Sequence, residues 1–228
     1  KNGFEIIKNK EELNNTMKGF SWENYFVQEV VQGTNELQFL GYAMCEEKKV
    51  FISGVTEQPL SKNFNNLRAL KFSGLDKRFE DWISFAREYI IHTKHDGLFS
   101  FEFIEDGSGG YFFLELNLRN DGNSYASTVY GVNLPFLYFQ YATMKRFYDD
   151  HSRVQLPPVI CLPEDTYFFE LIEGKISFRE WKEMMKRSDA LLTFDLTDPF
   201  PFLYLVIKQC KTTLKIIGKR VLLKQTLS

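Results

Sequence analysis

The sequence predicts an α+β fold, an antiparallel sheet flanked by helices, and three observations lead to it. β-rich runs fall at Leu37–Met44 and Val50–Val55, on either side of the polar stretch Cys45–Lys49,. Two further runs, Leu98–Glu105 and Tyr111–Leu118, are joined by the glycine-rich turn Asp106–Gly110, whose glycines permit positive φ,. Apolar residues at helical spacing recur over Phe79, Trp82, Ile83, Ala86, Tyr89 and Ile90, and again from Leu203 onward,.

The remaining elements follow in chain order. Phe4–Ile7 alternates as a short strand, and Asn9 with Glu12 three residues on is a capping pattern that opens a helix to about Met17,. Tyr25–Val31 reads as a strand closed by Gln32-Gly33. Gln58–Gly74 is polar and irregular, long enough for a functional loop,. Leu118–Ser127 reads as a polar loop, and Pro135 opens a helix to about Tyr148,. Ser177 with Glu180 caps a helix to about Lys186, Ala190–Phe194 is a strand candidate, and Asp198–Pro201 breaks the chain before the last helix,.

Composition narrows the function. At about 150 residues per domain, 228 residues make one large or two intimate domains,. With 44% apolar residues and 23 phenylalanines the chain has material for a packed core,. Lys plus Arg is 28 and Asp plus Glu is 30, so no overall basic field supports a nucleic-acid partner,. No apolar run approaches the roughly 18 residues of a membrane span and no signal segment is visible, so a soluble, cytoplasmic chain is expected,. Cys45, Cys161 and Cys210 lack C-x-x-C spacing, and the three histidines form no H-E-x-x-H, which excludes the usual zinc and disulfide frameworks,. Residue 1 is Lys rather than Met, so a processed chain or a fragment is expected.

Chemistry concentrates on the second hairpin. Phe99, Phe101 and Phe103 share one strand face, so Glu102 points to the other,. The next strand is expected to place Phe112, Leu114, Leu116 and Leu118 on the apolar face, with Glu115 and Asn117 opposite. If Ile104 pairs with Phe113, Glu102 falls directly across from Glu115, about 4.5–5.5 Å away between Cβ atoms, where like charges repel. Either both glutamates are solvated on a wet face, or a hard divalent cation compensates them, with an amide oxygen from Asn117 completing the set.

Phe101–Phe103, Phe113–Gly122 and Gly131–Pro135 together resemble the closing part of an ATP-grasp ligase domain, of the kind found in carbamoyl-phosphate synthases and D-alanine–D-alanine ligases. That family carries a strand acid followed about thirteen positions later by E-x-N-x-R, and here Glu102 is followed thirteen positions on by Glu115, Asn117 and Arg119. The resemblance implies that Glu102, Glu115 and Asn117 hold magnesium (or manganese) on the ATP phosphates and that Arg119 touches phosphate or the acyl-phosphate intermediate. Val27–Gly33 looks like the family's hinge, which implies that Gln28, Glu29 and Val31 border adenine and that Asn35 or Glu36 holds the ribose hydroxyls. Arg68 and Lys71 are either phosphate contacts or solvated loop charges, and Asp106–Gly110 is a hairpin turn without the ligand spacing of an EF-hand.

The resemblance divides the chain into the remainder of a small lobe and hinge (1–33), a large lobe with the metal site (34–150) and a C-terminal extension (151–228). The family's phosphate-binding Lys strand and glycine-rich loop precede the segment matching Phe4 and are missing, so an upstream domain or a partner chain is expected to supply them. The implied function is ATP-dependent ligation of a small-molecule carboxylate to an amine through an acyl phosphate. The alternative is a non-catalytic or split half with a nucleotide-binding, assembly or membrane-peripheral role; a homo-oligomer also remains open.

Residues 202–228 carry six cations and no acid, so the rest of a chain totalling −2 holds −8. This basic amphipathic helix is expected to dock its Leu, Ile and Val face on the acidic body with its lysines in water. The alternative is an anionic membrane surface.

Overall fold

The computed structural model describes residues 6–18, 27–59, 70–147 and 156–212. The chain divides into two compact units at Gln32/Gly33. In the first, helix α1 (Lys10–Met17) starts where the capping pattern puts it: the Asn9 side chain accepts from the Glu12 backbone N–H at 2.9 Å, and the Glu12 carboxylate accepts from Lys8 N at 2.9 Å,. Of the strand expected at Phe4–Ile7, Phe4 and Glu5 lie outside the described residues, and Ile6 and Ile7 are not in a strand. The strand expected at Tyr25–Val31 is also corrected. Tyr25 and Phe26 lie outside the described residues, residues 27–32 have no regular structure, and pairing begins only at Gly33, opposite Asp106.

The second unit is built on a seven-stranded sheet. Its strands are β1 (Gly33–Met44), β2 (Lys49–Pro59), β3 (Leu70–Ser73), β4 (Asp96–Asp106), β5 (Tyr111–Asn117), β6 (Val159–Leu162) and β7 (Ala190–Leu191), in the order β5-β4-β1-β2-β3-β6-β7. All neighbours are antiparallel except β6 and β7. The sheet gains β3 within the stretch expected as a loop, whose residues 60–69 lie outside the described ones.

Both faces of the sheet are buried. On one, Phe39, Phe101 and Phe103 pack beneath α2 (Glu80–Thr93), which inserts Ile83, Ala86 and Ile90, and the Trp82 ring stacks on Phe103 at 5.3 Å and 7°. Each fully buried side chain of this size contributes about 1.5–3 kcal/mol. On the other face Leu40, Tyr42, Phe51 and Phe72 meet α3 (Ser124–Val129) and α4 (Leu134–Met144). Helix α3 lies in the region expected as a polar loop. Helix α4 starts as expected, with Asn133 accepting from Phe136 N, and ends earlier, at Met144, before Lys145 turns left-handed.

One expectation about the faces fails for a physical reason. A bulge between Glu102 and Phe103 leaves Leu114 as an extra residue on β5, so Phe103 pairs with Phe113 while Glu102 pairs with Glu115,. An extra residue flips the alternation. Tyr111 and Phe113, not Phe112 and Leu114, therefore join Phe101 and Phe103, with ring centroids 4.8 Å apart for Phe101–Phe113 and 5.7 Å for Phe103–Tyr111. Past the bulge Leu116 packs on that core as expected.

After β6 come α5 (Glu164–Ile172) and α6 (Phe178–Arg187), the latter with the full capping box expected at Ser177 and Glu180. The strand candidate Ala190–Phe194 contracts to β7. Helix α7 spans 200–212. Its expected docking is only partial, because Leu203 and Ile207 are exposed while Val206 is half-buried. Leu214, Ile217, Val221 and the four cations beyond Lys211 lie outside the described residues.

Candidate functional site

The candidate site lies on the α3 side of the sheet, where β1, β4 and β5 run side by side. Period-two geometry on β1 puts Glu36 and Gln38 on the face that Glu102 shares, since Gln38 pairs with Glu102 and Glu36 with Ile104,. Glu102 stands directly across from Glu115 and Ser100 across from Asn117. The expected juxtaposition is present, although the pairing nearer the turn differs: Ile104 meets Phe112, and the Leu114 bulge restores the glutamates to opposition.

Amide groups compensate these carboxylates. The Asn117 NH2 group donates to Glu102 Oε1 at 2.8 Å and to Glu115 Oε1 at 2.8 Å. The Gln38 NH2 group donates to Glu102 Oε1 at 2.7 Å, and its oxygen accepts from Asn123 Nδ2 at 3.1 Å. Gln38 is 3% exposed and Glu102 8%. Asp121, just before α3, accepts from Asn123 N at 2.8 Å and from Ser100 Oγ at 3.4 Å. Burial pushes Glu102 up to about 7; the Gln38 hydrogen bond opposes this, and the charges of Glu115, Glu36 and Asp121 add to it,. Glu36 is raised as well, by burial and by Glu115 and Asp121.

Arg119 lies just past β5, exposed, with Nη2 donating to Asn117 Oδ1 at 3.4 Å and Nη1 lying 3.8 Å from Asp121 Oδ2. Asn35 alternates away from Glu36 and gives its amide to Glu105 Oε2 at 2.6 Å. Gln28, Glu29 and Val31 belong to the first unit, in its irregular segment 27–32. Lys71, on β3, pairs with Glu57 at 3.2 Å, and Arg68 lies outside the described residues. The Asp106 carboxylate accepts from Ser108 and Gly110 of its own turn, which lowers it.

Sequence reasoning missed Gln38, Asp121 and Asn123. Gln38 left a trace, a polar residue between Leu37 and Phe39 in a run otherwise bound for the core. Among the described residues no three His, Cys, Asp or Glu side chains are grouped to hold a metal ion. Between Glu102 and Glu115 the Asn117 NH2 group bridges the two carboxylates. The donor set nevertheless fits a hard divalent ion, because turning that amide over presents oxygen in place of nitrogen beside two carboxylates.

No family model matches the sequence, and no curated protein matches it. Solved structures do. The biotin carboxylase domain of a thermophilic 2-oxoglutarate carboxylase, bound to bicarbonate, aligns at 17% identity and TM-score 0.54 over 67% of this chain and 37% of that one. The same domain from Hydrogenobacter thermophilus, with MgADP, ADP and bicarbonate, aligns at 17% identity and 0.51 over 66% and 34%. Biotin carboxylase from Campylobacter jejuni, in complex with a β,γ-ATP ligand, aligns at 15% identity and 0.50 over 58% and 30%. This chain thus spans about a third of the length of the solved chains it matches.

Proposed function

Because the chain carries the ATP-grasp fold, we propose that it is part of an ATP- and magnesium-dependent ligase joining a small-molecule carboxylate to an amine or similar nucleophile. One observation carries this reading: Glu102 faces Glu115 across β4 and β5, with Asn117 within reach of both. Magnesium, or manganese, bound there would neutralise phosphate charge during phosphoryl transfer.

The chain's own residues have distinct tasks. Glu102 and Glu115 supply carboxylate oxygens, Asn117 an amide oxygen once turned, and Gln38 holds Glu102 in place. Glu36 shares that face and is the better of the two ribose candidates, since Asn35 is committed to Glu105. A substrate carboxylate oxygen attacks the γ-phosphorus, ADP leaves, and the nucleophile opens the acyl phosphate to release phosphate; Arg119 steadies the phosphoryl group.

The test is calorimetry of ATP with magnesium on this chain and on an upstream-extended one, with Glu115→Gln as control. Binding that is lost in the variant supports the ligase reading. A second reading, a non-catalytic half, is favoured by the Asn117 NH2 group, which balances the pair without any cation. Absence of ATP binding in both chains would establish it instead.

A further inference from the structure

Helix α7 turns an apolar stripe to solvent. Phe200, Leu203, Tyr204 and Ile207 are exposed, Phe200 by 76% and Tyr204 by 65%, and Leu196 just upstream is exposed by 85%. Spacings of three, four and seven put these helix residues on one side. The opposite side is held to the protein: the Phe202 ring meets Phe194 edge-on at 5.3 Å, and Leu205 and Val206 are half-buried. Lys208 and Lys211 follow the stripe and border a shallow hollow with Tyr204, Ile207 and Thr212. In sequence the cations continue with Lys215, Lys219, Arg220 and Lys224, and no acid interrupts them.

We propose that α7 seats the protein on an anionic lipid bilayer, lying in the interface with its aromatic stripe among the acyl chains and its lysines at the headgroups. The chemistry is that of interfacial helices, whose affinity combines buried apolar area with attraction to anionic lipid. Tyr and Lys suit the boundary because each has an apolar body and a polar tip. No helix among the described residues is long and apolar enough to cross a membrane, so the helix lies on the bilayer. A soluble acidic partner would match the lysines but leave unexplained why Leu196 and Phe200, remote from the cations, face outward.

The test is sedimentation of the full chain with vesicles of phosphatidylcholine alone and of phosphatidylcholine with phosphatidylserine. The protein is expected to pellet with the anionic vesicles only, and less as salt rises. At about 1 kcal/mol per cation, Lys208→Gln with Lys211→Gln lowers partitioning about 25-fold. Tyr204→Ser with Ile207→Ser abolishes it, and because all four side chains are exposed the variants keep the parent's circular dichroism. Failure to pellet with anionic vesicles, or equal pelleting with neutral ones, overturns the proposal. So does a serine variant that pellets like the parent, which would mark the lysines as a site for an acidic protein.

Discussion

Glu102 and Glu115 face each other across two strands, and the amide of one neighbour, Asn117, donates to both at 2.8 Å. The charge repulsion is thus met by a neutral dipole, which sets opposite expectations with and without a divalent cation. Without one, and above pH 7 where Glu102 is ionised, Glu115→Gln removes a like-charge pair and stabilises the fold by about 0.2–1 kcal/mol,. With magnesium at a hundredfold excess over its dissociation constant, the parent gains about 2.7 kcal/mol and the variant gains nothing. Thermal melts with magnesium and with chelator check both signs; a variant that still responds to magnesium would remove Glu115 from the ligand set.

Glu102 gives stability a pH dependence. Its carboxyl titrates at about 7 instead of near 4.5, so between those values the native state binds more protons than the unfolded chain. Stability therefore falls as pH rises through that window, by an amount of order 1–3 kcal/mol, and changes little from this group above it. Urea midpoints on either side of the window should show the fall in the parent and its absence in Glu102→Gln. An unchanged slope in the variant would assign the effect elsewhere.

Gly41 is required by close approach. A Cβ there would lie 2.1 Å from the Phe51 carbonyl oxygen and 2.7 Å from the Phe99 ring. Gly41→Ala is expected to cost about 1–3 kcal/mol, because the clash is with strand backbone that cannot yield cheaply. Equilibrium unfolding measures it, and a variant within error of the parent would mean that β1 and β2 shift apart freely.

Glu164 ties α5 to the chain after β7. Buried to 2% exposure, its carboxylate accepts from Leu192 N at 2.9 Å and Thr193 N at 2.7 Å, and also from Phe194 N. Glu164→Gln weakens charge-assisted bonds and is expected to cost about 1.5–3 kcal/mol. Amide exchange of residues 192–194 should quicken before that of β1 or β4, whereas a uniform change would point to global unfolding alone.

Much of the central sheet was legible because its signals are local. Runs of six to eight residues and a glycine turn suffice to identify β1, β2, β4 and β5, and capping patterns mark α1 and α6,. The four-residue strands β3 and β6 were missed because they are too short to show a period and exist only through pairing with each other and with β2,. Opposition of Glu102 and Glu115 was legible, yet by a register the structure does not use near the turn. Gln38 and Asn123 belong to a hydrogen-bond relay that joins residues 85 positions apart, which no local pattern reports.

The extra residue at Leu114 acts on the strand as a phase shift. Before it, β5 serves the aromatic layer with Tyr111 and Phe113; after it, the same strand delivers Glu115 and Asn117 to the polar side. Were Leu114 instead taken into the regular alternation, the composition would be unchanged and the delivery reversed, turning a carboxylate into the phenylalanine layer,. Where the strand leaves one residue unpaired is therefore as much a part of the site as any side chain in it,.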